Sequence, residues 1–206
     1  MCCIHAISNV PLGTIMDALE EYLHTYTDLS SADRTLIRSL ALPKRLRRNE
    51  FLLREGEVCR YKIFVEKGLL RTFGTAADGS EHILHFAAEQ QWTLDAESYD
   101  TQQPARYNIA AVENSDLLLW VKADFDSLVE NIPSLKKFSH KLISRSNYSS
   151  RDRLLTALSA TPEEKYQDFV NSFPHLLPRL PLRMIAAYLG ISIKTLTRIR
   201  QAQLRR

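Results

Sequence analysis

Residues Arg179 to Arg206 hold seven Lys/Arg and no Asp or Glu. Within this stretch Ile193, Lys194, Thr195, Thr197, Arg198 and Gln201 share the outward side of one short helix, with Ser192 just ahead of it. Such side chains do a particular chemistry. Lys and Arg donate to purine acceptors and phosphates, hydroxyls and amides bond either phosphates or base edges, and an aliphatic group meets a thymine methyl. The whole chain carries only +3, so the other 178 residues sum to −4. Basic charge is therefore concentrated at one end, as expected of a module that meets phosphates.

The elements that must position these residues are two short helices with a tight turn. Gly190 supplies the positive φ that ends the first helix. Ala186 is small where the second helix must cross closely over the first. Ile185, Leu189, Ile191, Leu196 and Ile199 recur at the spacings that bury the inner faces of both. Ser192 can cap the second helix through its hydroxyl. Paired amphipathic helices are common, and a cationic face is ordinarily only solvated. It is the coincidence of several structural positions with a charge of +7 that favours a helix built for a major groove.

Composition narrows the remaining classes. At 206 residues, 45% hydrophobic and 25% charged, the chain suits one large or two modest globular domains. No apolar run approaches the roughly 20 residues that cross a bilayer. The N-terminus lacks the basic start and apolar core of a secretory signal, so a cytoplasmic location is expected. Cys2, Cys3 and Cys59 are too few and too scattered for a disulfide framework, and too few to hold an iron–sulfur cluster unaided. His82 and His85, three apart in an expected strand, should point to opposite faces. No metal-spaced cluster, nucleophile elbow or phosphate-binding loop is present, so neither a metal site nor an enzyme is expected.

Ahead of the helix pair the texture changes twice. Ile15–Tyr26 reads as a helix. A second should start at Ser30, show Leu36, Ile37, Leu40 and Leu42 as its apolar face, and stop at Pro43. From about Lys44 to Val121 short strands alternate with turns at Glu55-Gly56-Glu57, Gly68 and Asp78-Gly79. They predict a β-roll or barrel with Ile63, Val65, Leu84, Phe86, Ile109 and Leu118 in its core. After a short helix over Asp124–Asn131, a long one should run from Pro133 to Leu158. Its apolar stripe includes Leu135, Phe138 and Leu142, and these are assigned to a dimer seam because the helix is longer than a small roll can cover. Thr161-Pro162-Glu163-Glu164 spells a capping box for the next helix. The expected fold class is α+β: a jelly-roll-like double-stranded β-roll with flanking helices over 1–132, a dimerisation helix over 133–158, and a winged-helix-like DNA-binding domain over 159–206.

This order resembles the Crp/Fnr superfamily of bacterial transcription regulators. The resemblance is carried by Glu55-Gly56-Glu57, Val65-Glu-Lys-Gly68-Leu-Leu-Arg71, Asp78-Gly79-Ser-Glu81 and above all Ile185 to Arg200, and is strongest to short, Bacteroidetes-like members. It implies a homodimer on a palindromic DNA site, RNA polymerase as a further partner, and a cupin-like sensory roll. Lys194 and Arg198 match family positions that face base edges, while Arg183, Arg200, Arg205 and Arg206 are expected on phosphates. The roll departs from the nucleotide-binding pattern. The segment Trp92–Tyr107 contains no glycine. Asp95 stands at the position of the ribose-contacting glutamate, and Ala105 at that of the phosphate arginine. Arg106 is one residue late, which in a strand turns it to the other face. Asp95, Glu97 and Arg106 remain the candidate effector residues. Cyclic AMP is disfavoured and the cofactor is unknown. Two rival readings share the composition: a haem, gas or redox sensor on the same fold, and a small-molecule module whose terminal helices meet protein.

Overall fold

The computed structural model describes residues 17–204. Cys2, Cys3, His5, Ile15, Arg205 and Arg206 lie outside the described residues. Two helices come first, α1 (Asp17–Tyr26) and α2 (Ser31–Ser39). Ser30 caps α2 in a reciprocal box with Asp33. Helix α2 ends sooner than the sequence suggests. Leu42 and Pro43 open strand β1 (Leu42–Leu46), and Leu36 and Leu42 are exposed. Proline is tolerated there because β1 is an edge strand.

Among the described residues eight strands form two antiparallel sheets. One has the order β1-β8-β3-β6, with β3 Tyr61–Lys67, β6 Trp92–Thr93 and β8 Ser115–Val121. The other has the order β2-β7-β4-β5, with β2 Phe51–Leu53, β4 Leu70–Thr75, β5 Glu81–Ala87 and β7 Asn108–Ala111. Glycines at 56, 68 and 79 take positive φ at the predicted turns.

Strand β5 corrects two expectations at once. Thr72 pairs with His85 but Phe73 pairs with Ile83, so Leu84 is the extra residue of a bulge. The bulge changes which residues face inward. Ile83 and Phe86 are buried, whereas Leu84 is 39% exposed and leaves the core. It also puts His82 and His85 on the same face of the strand, opposite Ile83, rather than on opposite faces.

Each sheet is covered on both faces. Between the sheets lie Ile63, Val65, Leu70, Ile109, Leu117 and Leu119. Outside the first sheet, Phe64, Leu118 and Trp120 pack on α1, α2, α4 (Lys122–Asn131) and the start of the long helix α5 (Pro133–Ser159). Trp120 donates from its indole nitrogen to the Ile37 carbonyl at 2.8 Å, which ties α2 to the roll. Outside the second sheet, Phe73, Ile83, Phe86, Ala110 and Val112 pack on the C-terminal helices. The result is helix, sheet, sheet, helix. This layering explains why Leu117–Trp120 and Asn108–Ala111 are unbroken buried runs, since strands covered on both faces need not alternate.

The C-terminal helices are α6 (Pro162–Ser172), α7 (Leu182–Leu189) and α8 (Ile193–Leu204). Thr161 and Glu164 close the predicted capping box on α6. Among the described residues this region is helix and turn alone, and no strand supplies a wing.

Candidate nucleic-acid interface

Local chemistry builds the helix pair as expected. Gly190 adopts φ 66° and its N–H donates to the Ala186 carbonyl, which also accepts from Ile191 at 3.1 Å. Ser192 Oγ accepts from the Thr195 amide at 3.0 Å and so caps α8. Ile185, Ala186, Leu189, Leu196 and Ile199 are buried between the helices and against α6 and the roll. With that face locked, the opposite side of α8 must face outward.

On the outward side Ile193, Lys194, Arg198 and Gln201 are exposed, and Thr195 and Thr197 are half-buried. Lys194, Arg198 and Gln201 follow one another at i, i+4 and i+7, so they share one stripe. Arg200 is exposed but away from that stripe, and Arg183 is exposed on the first turn of α7. The hydroxyls are less free than the sequence suggests. Thr197 donates to the Ile193 carbonyl at 2.9 Å, and Ser192 and Thr195 bond each other at 2.9 Å. Arg198 meets Glu163 of α6 at 3.2 Å. That pair is exposed on both sides, so releasing it costs only about 0–1 kcal/mol.

Two arginines committed to contacts with the roll escaped the sequence reading. Arg179, counted there as part of the basic tail, is bracketed by two roll carboxylates. It reaches Glu89 at 2.8 and 2.9 Å and Glu113 at 2.5 Å. Arg153, in the polar middle of α5, points inward to the carbonyls of Ile83 and Tyr188. The signal for both is the same: a cation whose partners lie far along the chain.

The Glu89 carboxyl also accepts from the Gly68 amide at 2.9 Å. Burial pushes this carboxyl up, but the bonds from Arg179, its own amide and Gly68 outweigh that and hold it below the usual range. The folded carboxyl thus titrates below the unfolded one. Its contribution is complete above about pH 4.3 and disappears as pH falls through the lower folded value. The melting-temperature gap between the parent chain and Arg179→Gln is expected to be constant from pH 7 to 5 and to shrink below pH 4. A gap that widens on acidification would contradict this.

The roll's three candidate effector residues do not converge on one site. Asp95 is buried and caps a short helix, α3 (Ala96–Thr101), by accepting from the Ser98 amide at 3.0 Å. Its Oδ2 has no hydrogen-bond partner among the described residues. Glu97 and Arg106 instead form a surface pair at 3.7 Å. The segment is tied closed by its own side chains. Ser98 Oγ accepts from the Cys59 amide at 2.9 Å and donates to the Gln103 carbonyl at 2.5 Å, and Gln102 Nε2 donates to the Tyr99 carbonyl at 2.8 Å. Ala105 is buried. Ser98→Ala strips that acceptor from a buried amide and should lower stability by about 1–3 kcal/mol, read by denaturant unfolding.

A cleft of about 400 Å³ opens beside β2 and β3, lined by Leu52, Leu53, Val58, Cys59, Tyr61 and Ile63 among others. None of Asp95, Glu97 and Arg106 lines it. Cys59 is buried, and burial pushes its thiol up, which disfavours the reactive thiolate. Burial also pulls the Lys62 ammonium, behind the same strand, down to about 8. Among the described residues no group of three or more His, Cys, Asp or Glu could hold a metal.

The dimer-seam assignment requires correction. Leu135 is 1% and Phe138 8% exposed, both packed with Tyr22 and Leu128 of their own protomer, and Leu142 rests on the same cluster. The first turns of α5 belong to the roll because α1 and α4 meet there. The apolar residues left outside are Ile143, Tyr148, Leu154, Leu155 and Leu158, the last 78% exposed.

Residues 43–131 match the family model of the cyclic nucleotide-binding domain. Over 190 residues the chain is 25% identical to the transcriptional activator protein Anr of Pseudomonas aeruginosa, covering 85% of this chain and 74% of that one. FixK2 of Bradyrhizobium japonicum superposes with a TM-score of 0.70 at 18% identity, over 80% of this chain and 84% of that chain. A regulator of Eubacterium rectale assigned to the Crp/Fnr family gives 0.70 at 16% identity, over 90% and 88%. Roll, long helix and terminal helix pair thus follow one another in the order of these relatives, and the chain is similar to the Crp/Fnr regulators in fold, with a cyclic nucleotide-binding domain over 43–131.

Proposed function

We propose that the chain is a sequence-specific DNA-binding transcription regulator that acts as a homodimer. One observation carries the reading. Helix α8 buries Leu196 and Ile199 and leaves Lys194, Arg198 and Gln201 as an exposed stripe, which is the geometry of a helix laid in a major groove. The relationship to Anr, a transcriptional activator, supports it. Lys194 and Arg198 read bases. Ser192, Thr195, Thr197 and Gln201 bond base edges or phosphates, and Ile193 meets a thymine methyl. Arg183 and Arg200 hold phosphates and set register.

The partner subunit docks on the distal half of α5. Tyr148, Leu155 and Leu158 are exposed at intervals of seven and three, the spacing of a coiled-coil seam. Pairing there presents two copies of α8 about 34 Å apart, one turn of duplex, on a two-fold site. The working parts are the roll over 1–132, the dimer helix over 133–158 and the reader over 159–206. Duplex DNA and RNA polymerase are its partners, in the cytoplasm, and no catalytic role is assigned.

The roll acts without cyclic AMP in this reading. An anionic phosphate binds best at a helix N-terminus with free amides. Here the Asp95 carboxylate already occupies the N-terminus of α3 and would repel a second anion.

Retention on duplex DNA as a function of salt tests the proposal. A dimer neutralising six or more phosphates should give a slope of log K against log salt of about −5 or steeper. Selection of bound genomic fragments should return a palindrome. Salt-insensitive retention, or fragments with no shared half-site, would refute the reading.

A further inference from the structure

The guanidinium of Arg153 joins three parts of the molecule. Nη2 donates to the carbonyl of Ile83 on β5 at 2.7 Å and to that of Tyr188 on α7 at 3.0 Å. Its carbon lies 3.8 Å from the centroid of the Tyr188 ring. That ring stacks on Phe86 of β5 at 5.3 Å and 29°, and meets Phe169 of α6 at 5.3 Å. Both carbonyls need such a donor. β5 is an edge strand, whose outer carbonyls have no strand partner. Tyr188 lies in the last turn of α7, whose carbonyls have no intrahelical donor.

Arg179 makes a second tie, to Glu89 just past the end of β5 and to Glu113 between β7 and β8. The attachment points Ile83, Phe86 and Glu89 are thus spread along one strand and its exit, over a span on the order of 20 Å. One contact would leave the helix pair free to pivot. Three contacts in a row remove that rotation. The apolar contacts between them, such as Phe86 and Met184, supply burial but little direction, whereas planar guanidinium bonds fix register.

We propose that Arg153 and Arg179 are positioning residues for DNA recognition: they pin α7, and through it α8, to the roll of the same protomer. The recognition helix then has one orientation, and the separation of half-sites is set by the roll and the dimer helix instead of by a loose joint. This rests on the DNA-binding reading above.

Full-length chains carrying Arg153→Lys, Arg179→Gln and both test it with two readouts. The first is affinity for duplexes whose half-sites are at the selected spacing or one base pair closer or farther. The parent chain should lose at least tenfold on either displacement, and the double variant less than threefold. A double variant that keeps the full spacing penalty overturns the proposal. A merely structural role would weaken binding equally at every spacing, which also overturns it.

The second readout is amide hydrogen exchange, with strands β3 and β8 as the internal control. Helices α7 and α8 should lose at least tenfold in protection while β3 and β8 keep theirs. Equal losses throughout, or none, count against pinning. If the parent chain retains no DNA, the functional reading falls, and the exchange pattern still decides whether the helix pair is pinned.

Discussion

Replacing Lys194 and Arg198 together by alanine should cost about 2–6 kcal/mol of affinity for a selected duplex, at about 1–3 kcal/mol for each base-reading side chain. The melting temperature should move by no more than about 2 °C, because both side chains are exposed and away from the core. Within the folded protein the double substitution breaks the exposed ion pair of Arg198 with Glu163, which is weak. Preference should relax at the contacted base positions, while a non-cognate duplex, held through phosphates, loses much less. Arg200→Ala is the useful contrast. It stands off the stripe, so it should weaken cognate and non-cognate binding alike and lower the salt slope by about one. Anisotropy titrations on both duplexes distinguish these outcomes. Undiminished base preference in the double variant would remove α8 as the reader.

Gly68→Ala should be the most damaging small change in the roll, lowering stability by about 2–5 kcal/mol. Two effects combine. Gly68 has φ 98°, where a Cβ is strained by about 1–2 kcal/mol. That Cβ would also lie 2.7 Å from Ser115 Cα and closer still to its Oγ, and relieving such a clash costs about 1–3 kcal/mol more. Ser115 cannot simply yield, since its Oγ accepts from the Leu69 amide and donates to the Glu113 carbonyl. Gly68 also gives its amide to Glu89, so the damage reaches the Arg179 tie. Gly56→Ala is the matched control: φ is 88° but nothing lies within 4 Å of the new Cβ, so only the strain applies. Equal losses in the two variants, measured by denaturant unfolding, would show that the contact with Ser115 does not matter.

Local signals translated well into local structure. Thr161 with Glu164 forms the capping box its spacing announced, α2 starts just after Ser30 as read, and Gly190 takes the left-handed turn it was read for. The errors occur where partners are distant. Leu84 alternates correctly with Phe86 on paper, but the bulge against β4 turns it outward. Leu135, Phe138 and Leu142 have the right periodicity for a seam, yet periodicity states only that a face is covered. Whether the cover is α1, α4 or another subunit depends on the packing, and here it is α1 and α4.

The outward stripe of α8 was legible because it depends on residues within a few turns of one another: a cap, a glycine, a small crossing residue and the positions that must be buried. The orientation of that stripe relative to the roll was not. It depends on Arg153 reaching a carbonyl 70 positions earlier and Arg179 a carboxylate 90 positions earlier. Helical period and composition carry no information about pairings at such separations, and an arginine committed to them looks in sequence like any solvated cation. Only the stacking of the second sheet on the C-terminal helices identifies these two arginines as structural ties and leaves Lys194 and Arg198 facing outward.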